Sequence, residues 1–355
     1  MVSKLLDELS WRENREQLSL TETEGDVIPY KDCNIPDVLE KPLRVSEEGK
    51  LHGWKSGERS VLVCYKEKWY KLKGVKPSTQ EHSIPGVPRG CQKRSVAERE
   101  LDASAAISDF GLENGIKAPM SPVCLFKYRA SFEGEPVCAS VFEVKSDYRL
   151  SHFADKFLDA AEKAYRREER NACTIRQELT SKIGNWVGFW YRALEQHNLC
   201  WGTTNNENSG EVHTNVGNHN LVAYRVGGGV GIGIVDLDRK ETPNETTKKT
   251  ELDIIRKRLS IFDGALYFLG NGRSAKSIRA YYYFQIFASM GLQIYGDGFD
   301  PFHGVQLPDE DALGIIEHFD EGRKGKIPQP INAKFFTNTE DIFLHKRYST
   351  QRSPS

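Results

Sequence analysis

A lysine closing an apolar run, a glutamate inside the next helical stretch, and an Asn and an Asp bracketing a later apolar hairpin are residue types that can hold phosphates and a hard cation. In this chain they are Lys73, Glu100, Asn220 and Asp236. Lys73 ends Trp69-Tyr-Lys-Leu-Lys73, and Glu100 follows 27 residues later. Val96, Glu100, Ala103 and Ile107 recur at helical spacing, so Glu100 shares the stripe that a helix turns inward. A carboxylate among apolar neighbours needs a cation, because burying it unpaired is costly. Lys73 is the expected partner, which aims its ammonium at phosphate oxygens. The plainer alternative makes Lys73 one of several solvated lysines between Lys66 and Lys76, with Glu100 paired locally to Arg94 or Arg99.

The second half of the constellation is His213-Thr-Asn215-Val-Gly-Asn-His-Asn220, followed after a hairpin by Val235-Asp236-Leu-Asp238. Mg²⁺ prefers oxygen ligands and is commonly held by one or two side chains together with substrate phosphates. Asn220 and Asp236 suffice for that, and Asp238 is placed to add an outer-shell or a second-metal contact. A competing register is Trp201-Gly-Thr-Thr-Asn-Asn-Glu207-Asn208, which also ends in Asn. Asn220 is preferred because an apolar strand follows it at once, whereas Asn208 precedes Ser-Gly-Glu. The bland reading of the segment is an Asn/Gly-rich turn before a strand pair that ends in a solvated Asp-Leu-Asp. Where the base of a phosphotransferase loop would stand there is Asn215, and an amide cannot take a proton.

These residues need rigid elements to carry them. Ser60–Tyr65 and Trp69–Lys73 read as a hairpin across the short polar turn at Lys66–Lys68. Residues 74–94 form a long loop rich in Pro and Gly, a length that usually signals function. Ser95-Val-Ala-Glu98 has the spacing of a capping box, which predicts a helix over 96–109 stopped by Gly111. A second hairpin is expected at 123–132 and 137–145, and a third at 220–226 and 230–236 across Gly227–Gly229. Helical spacing marks 151–168, 174–197 with Trp186, Phe189, Trp190 and Leu194, then 251–269 and 275–291. Residues 1–50 lack sustained periodicity and read as an extended N-terminal arm, and residues 321–355 as a surface tail.

Composition bounds the function classes. The 355 residues carry 49 Lys+Arg against 50 Asp+Glu, a net charge of −1 that argues against a dedicated nucleic-acid binder. At 38% hydrophobic the chain buries a substantial core, and its length favours two lobes over one, since single cores rarely exceed roughly 250–300 residues. No apolar run approaches the ~20 residues of a membrane helix. The charged N-terminus lacks a signal-peptide layout, so a cytoplasmic setting without membrane partners is the expectation. The seven cysteines contain no C-x-x-C pair and read mostly as small core residues.

Strands, a helix, more strands, and then a helical half broken by one hairpin is the order of a protein-kinase-like fold. Several segments resemble the selenoprotein O family of kinase-like protein adenylyltransferases: Leu72-Lys73-Gly74, Arg99-Glu100-Leu101 with Ala103-Ser104, Gly115-Ile116 before Pro119, and Arg149-Leu-Ser-His152-Phe153. The resemblance covers residues 60–240. Trp201–Asn208 is similar to that family's His-Gly-x-x-Asn-x-Asp-Asn loop, with Glu207 in place of the Asp. It implies AMP transfer from a nucleotide bound in flipped orientation, with Arg149 matching one of two phosphate-holding arginines. Phe142 or Glu143 stands where the other belongs, the family's Asp-Tyr-Gly-Pro is Asp236-Leu-Asp-Arg, and the C-terminal selenocysteine-type motif is absent.

The expected architecture is therefore α+β and bilobal, with a β-rich N-lobe over 51–145, a helical C-lobe over 146–320, and ATP with Mg²⁺ in the cleft. Lys73 binds phosphate, Glu100 orients it, Arg149 neutralises phosphate charge, His213 belongs to the catalytic loop, and Asn220, Asp236 and Asp238 hold metal. The acceptor is a protein hydroxyl or a small molecule. The alternatives are a phosphotransferase of aminoglycoside-kinase type and a pseudokinase binding module.

Overall fold

The computed structural model describes residues 16–56, 59–75, 90–149, 172–205, 212–214, 216, 220–237, 243–270 and 314–333. The helices expected at 151–168 and 275–291, most of the long loop, and Glu207, Asn208, Asn215 and Asp238 lie outside them. The described residues divide between two compact units, one spanning Arg12–Asp147 with Val235–Glu241, the other Tyr148–Ile234 with Thr242–Phe343. Asp236, expected in the helical half, thus groups with the β-rich unit.

In the β-rich unit, β1 (Gln17–Glu22), β2 (Gly25–Pro29), β3 (Leu43–Val45), β4 (Leu51–Lys55), β5 (Ser60–Tyr65), β6 (Lys68–Lys73), β7 (Gln92–Lys93), β8 (Met120–Phe132) and β9 (Glu135–Val144) build one antiparallel sheet. Its order is β2-β8-β9-β6-β5-β4-β1-β3, with β7 on β9. Only Thr23 and Glu24 separate β1 from β2, yet these strands lie near opposite ends of that order, so the sheet must curl until its ends approach. The Tyr128 hydroxyl donates to the Leu43 carbonyl at 2.7 Å and the Thr23 N–H to the Pro42 carbonyl at 2.8 Å, tying the ends together. Leu18, Leu20, Leu43, Val61, Val63, Tyr70, Leu72, Phe126 and Val141 fill the inside of the curl.

Residues 17–45 are therefore not an extended arm. Leu18 and Leu20 alternate inward from β1, but the strands there are short and prolines separate them, which hides a period-two signal. The β5–β6 turn is two residues, Lys66 and Glu67, at φ 47° and 63°. Both positive angles match the twist of a two-residue hairpin, although neither residue is the Asn or Gly that usually supplies them.

Helix α1 (Arg94–Glu113) starts two residues too early for the expected capping box. Lys93 is the N-cap and makes no side-chain cap bond, Glu98 takes the Arg94 Nε at 2.6 Å, and the Ser95 N–H donates to Glu135 at 3.3 Å. Gly111 is buried within the helix, which ends instead at Asn114, followed by Gly115 at φ +72°. Of the cysteines, Cys124 and Cys138 are core residues whose thiols burial pushes up to about 12, but Cys64 is exposed.

In the helical unit, α2 (Ala172–Gln196) packs against α4 (Ile315–Arg323), and β10 (Tyr148–Arg149), β13 (Leu221–Val226) and β14 (Gly229–Ile234) form a small sheet. β11 (Thr203–Asn205) pairs with β12 (Val212–Thr214), and α3 (Glu245–Gly270) carries an Asn244 cap whose side chain accepts the Thr247 N–H at 2.8 Å. The aromatic stripe of α2 is fully buried, and the Trp186 and Trp190 indole N–H groups donate to the carbonyls of Gln329 and Ile232. The chain after α4 is not a surface tail as far as Ala333: Ile331 is buried and exchanges two backbone hydrogen bonds with Val230. The α2–α4 contact depends on small residues, because a Cβ at Gly188 would sit 2.0 Å from the Phe319 carbonyl oxygen. Gly188→Ala is expected to force the helices apart and cost about 1–3 kcal/mol, the range for overpacking, read as a lower urea midpoint.

Candidate functional site

Strand alternation decides which β6 side chains face the core. Tyr70 and Leu72 enter it, so Lys71 and Lys73 point from the opposite face. Lys73 lies between Ser60 of β5 and Ser140 of β9. Helix α1 packs on β8 and β9 and brings Glu100 across: Lys73 Nζ donates to Glu100 Oε1 at 2.8 Å. The other Glu100 oxygen accepts from Gln92 Nε2 at 3.1 Å, while Ser140 Oγ donates to Gln92 Oε1 at 2.9 Å. All four residues are buried. The carboxylate is thus held by an ion pair and an amide, which is what an inward-facing glutamate requires. Local pairing does not occur through Arg94, whose partner is Glu98.

Lys73 also donates to Asp236 Oδ1 at 2.5 Å. Asp236 follows the apolar β14 and Val235, and takes φ 67°, a left-handed conformation that Asp tolerates better than most residues through its short polar side chain. Its side chain is 27% exposed against 2% for Glu100. One ammonium thus faces two carboxylates, of which Asp236 is the more accessible. The carboxylate oxygens of Asp236 are donors of the hard type that Mg²⁺ takes. Among the described residues no cluster of three His, Cys, Asp or Glu forms a metal cage.

Asn220, Arg149 and His213 lie in the helical unit. Asn220 is buried and directly precedes β13. Arg149 is on β10, opposite Val222, and His213 is on β12, opposite Thr204. The β11–β12 pairing puts Thr203 against Thr214, so the chain that leaves at Gly202 returns beside its own start. The two competing registers therefore belong to one segment, with a hairpin set between Trp201 and Asn220.

Glu251 of α3 is a residue that the sequence reading missed. It is fully buried and accepts the N–H groups of Trp201 and Gly202 at 2.8 and 3.0 Å, anchoring the start of that segment. It shares an inward stripe with Ile255, Leu259 and Phe262, the same signature that marks Glu100. Glu251→Gln keeps one acceptor oxygen and faces the second N–H with an amide donor, so a loss of about 1–3 kcal/mol is expected for the orphaned group, visible as a lower denaturation midpoint. Lys71 is the other omission. It sits one alternation from Lys73 and donates to Asp147 at 2.9 Å.

No protein-family model matches the sequence, and no curated protein matches it. Among solved structures, WaaP in complex with acyl carrier protein is similar with a TM-score of 0.34 and 13% identity, over 69% of this chain and 88% of that one. Glucosamine kinase in complex with glucosamine, ADP and inorganic phosphate is similar with a TM-score of 0.32 and 12% identity, over 76% of this chain and 70% of that one. Likeness of this extent assigns no family and carries no argument about activity, so the reading of the site rests on its own geometry.

Proposed function

We propose that this chain is an ATP-dependent transferase of protein-kinase-like type. The observation that carries the reading is Lys73 held by Glu100 on one side and Asp236 on the other, from a strand, a helix and a strand-ending loop. A lysine so placed is a preorganised phosphate-binding ammonium, and a helix glutamate that fixes it is the pairing that protein kinases use for the same task. In this reading Asp236 and Asn220 hold Mg²⁺, with Asp238 outside them, Arg149 neutralises phosphate charge, and His213 belongs to the loop that ends at Asn220. Bound Mg²⁺ would supply charge neutralisation on the phosphates. The chain's own groups position them, Lys73 by its ammonium and Glu100 by keeping that ammonium in place.

The finer reading is transfer of AMP to a protein hydroxyl, supported by the Leu-Lys-Gly and Arg-x-x-His-Phe segments and by an amide, Asn215, where a phosphotransferase needs a base. The acceptor oxygen bonds to the α-phosphorus as its hydroxyl proton passes to solvent, the bond from that phosphorus to the bridging oxygen breaks, and pyrophosphate leaves. ATP labelled at the α- or the γ-phosphate separates the readings. Label on acceptor protein from the α position only is the expected outcome. Transfer of γ label instead assigns phosphotransfer, and binding without transfer assigns a pseudoenzyme.

A further inference from the structure

The long β8–β9 ladder breaks in its outer half. Lys127 pairs with Cys138 and Ser131 with Pro136, so Tyr128, Arg129 and Ala130 stand opposite Val137 alone. Extra residues on one strand make a bulge, which bends that strand and re-aims its side chains. All four residues of the break line a cavity of about 450 Å³. Thr23 and Glu24 between β1 and β2, Arg44 of β3, Gly74 after β6 and Cys91 before β7 complete its wall. Every one of these residues belongs to the β-rich unit, and the volume lies in the range of small-ligand sites. The Tyr128 hydroxyl donates to the carbonyl of Leu43, the residue before Arg44, which ties the break on β8 to β3.

We propose that this cavity binds a small organic monoanion, its carboxylate taken by the Arg44 guanidinium and its apolar body lying against Val137, Ala130 and Cys91. The charges of the wall favour that class. Arg129 Nη1 donates to Glu24 Oε2 at 2.8 Å, whereas Arg44 makes no hydrogen bond or ion pair among the described residues. Burial raises the pKa of the Cys91 thiol, with Arg44 opposing, so the thiol stays neutral. The lining residues therefore carry two guanidinium groups and one carboxylate, a surplus of one positive charge. A guanidinium fork matches the two oxygens of a carboxylate, and the charge-assisted bonds it donates are the strong kind. A phosphate monoester carries a second charge, which would exceed that surplus and face Glu24. Arg129 contributes less than Arg44, because Glu24 already accepts from it.

The test is calorimetry of the full chain with phenylpropionate, the neutral phenylpropanol and the cationic phenylpropylamine, three probes of nearly the same shape. The acid is expected to bind about tenfold tighter than the alcohol, the effect of one charge-assisted contact, and the amine more weakly still. Arg44→Gln is expected to erase that margin, leaving acid and alcohol within about twofold of each other. Its fold should be unchanged, because Arg44 is exposed and has no partner to lose. Alkylation by iodoacetamide, which is uncharged, reads the location separately. Cys91 lines the cavity while Cys64 is exposed on β5. Saturating phenylpropionate should slow the alkylation of Cys91 about fivefold by blocking access to it and leave that of Cys64 as it was. Equal affinity for acid and alcohol overturns the proposal, and so does an Arg44→Gln variant that keeps the wild-type preference. A Cys91 that the acid does not protect, or a wild type that binds none of the three probes, overturns it as well.

Discussion

Asp236→Asn is expected to lower the Mg²⁺-dependent affinity for ATP by at least about 100-fold, close to 3 kcal/mol, with the fold retained. Asn is nearly isosteric and tolerates the positive φ that Asp236 adopts, so backbone strain does not change. What changes is charge. Two carboxylates, Glu100 and Asp236, pair with Lys73, and the substitution removes the charge of one. Two opposite effects follow. A divalent cation loses its anionic ligand, while a nucleotide offered in EDTA meets a less negative site and should bind as well as to the wild type or better. Calorimetry with and without Mg²⁺ reads both signs. An unaltered Mg²⁺ response would reduce Asp236 to a partner of Lys73, and a collapse of the whole chain would make it structural.

Trp190→Ala should have the largest effect on stability, about 3–5 kcal/mol, the range for truncating a buried large aromatic. Trp190 is completely buried, stacks on Trp186 with ring centroids 6.2 Å apart, and meets Phe189 edge-on at 4.9 Å. Its indole N–H also donates to the Ile232 carbonyl at 2.8 Å, tying α2 to the strand that leads toward Asp236. Truncation leaves both a cavity and an unpaired carbonyl on β14. Urea denaturation followed by far-ultraviolet circular dichroism should show the midpoint fall sharply. Trp190→Phe, which keeps most of the packing and loses only the hydrogen bond, should lie between the two. Equal losses in the two variants would mean that the hydrogen bond, and not the volume, carries the effect.

Much of this chain was legible where a local rule had little competition. The β5–β6, β8–β9 and β13–β14 hairpins and the helices around Glu100, Trp190 and Leu259 follow from alternation and helical spacing alone. The helix ends were not. The Ser95–Glu98 spacing satisfies a capping box, but Arg94 takes Glu98 and Glu135 takes the Ser95 N–H, so a local motif yields to longer-range partners. Leu18, Leu20 and Ile331 were read as parts of an arm and a tail, because their burial depends on strands far away in sequence and leaves almost no periodic trace in segments of three to six residues.

The need for charge partners could be inferred from the sequence alone: a glutamate in an apolar helical stripe must find a cation or hydrogen-bond donors, and this holds for Glu251 as for Glu100. Which cation or donor it finds was decided by tertiary structure. Glu100 meets Lys73 through the packing of α1 on β8 and β9, Glu251 meets two backbone N–H groups, and Lys71 meets Asp147 across 76 residues. The physical reason is that burial penalises an unpaired charge whatever its partner, whereas pairing needs two groups within about 3 Å, and strand register and helix docking set that distance. Asp236 shows the same division. Its place after an apolar strand is written locally, but its contact with Lys73, 163 residues earlier, exists only once the curled sheet and the strand-ending loop are assembled.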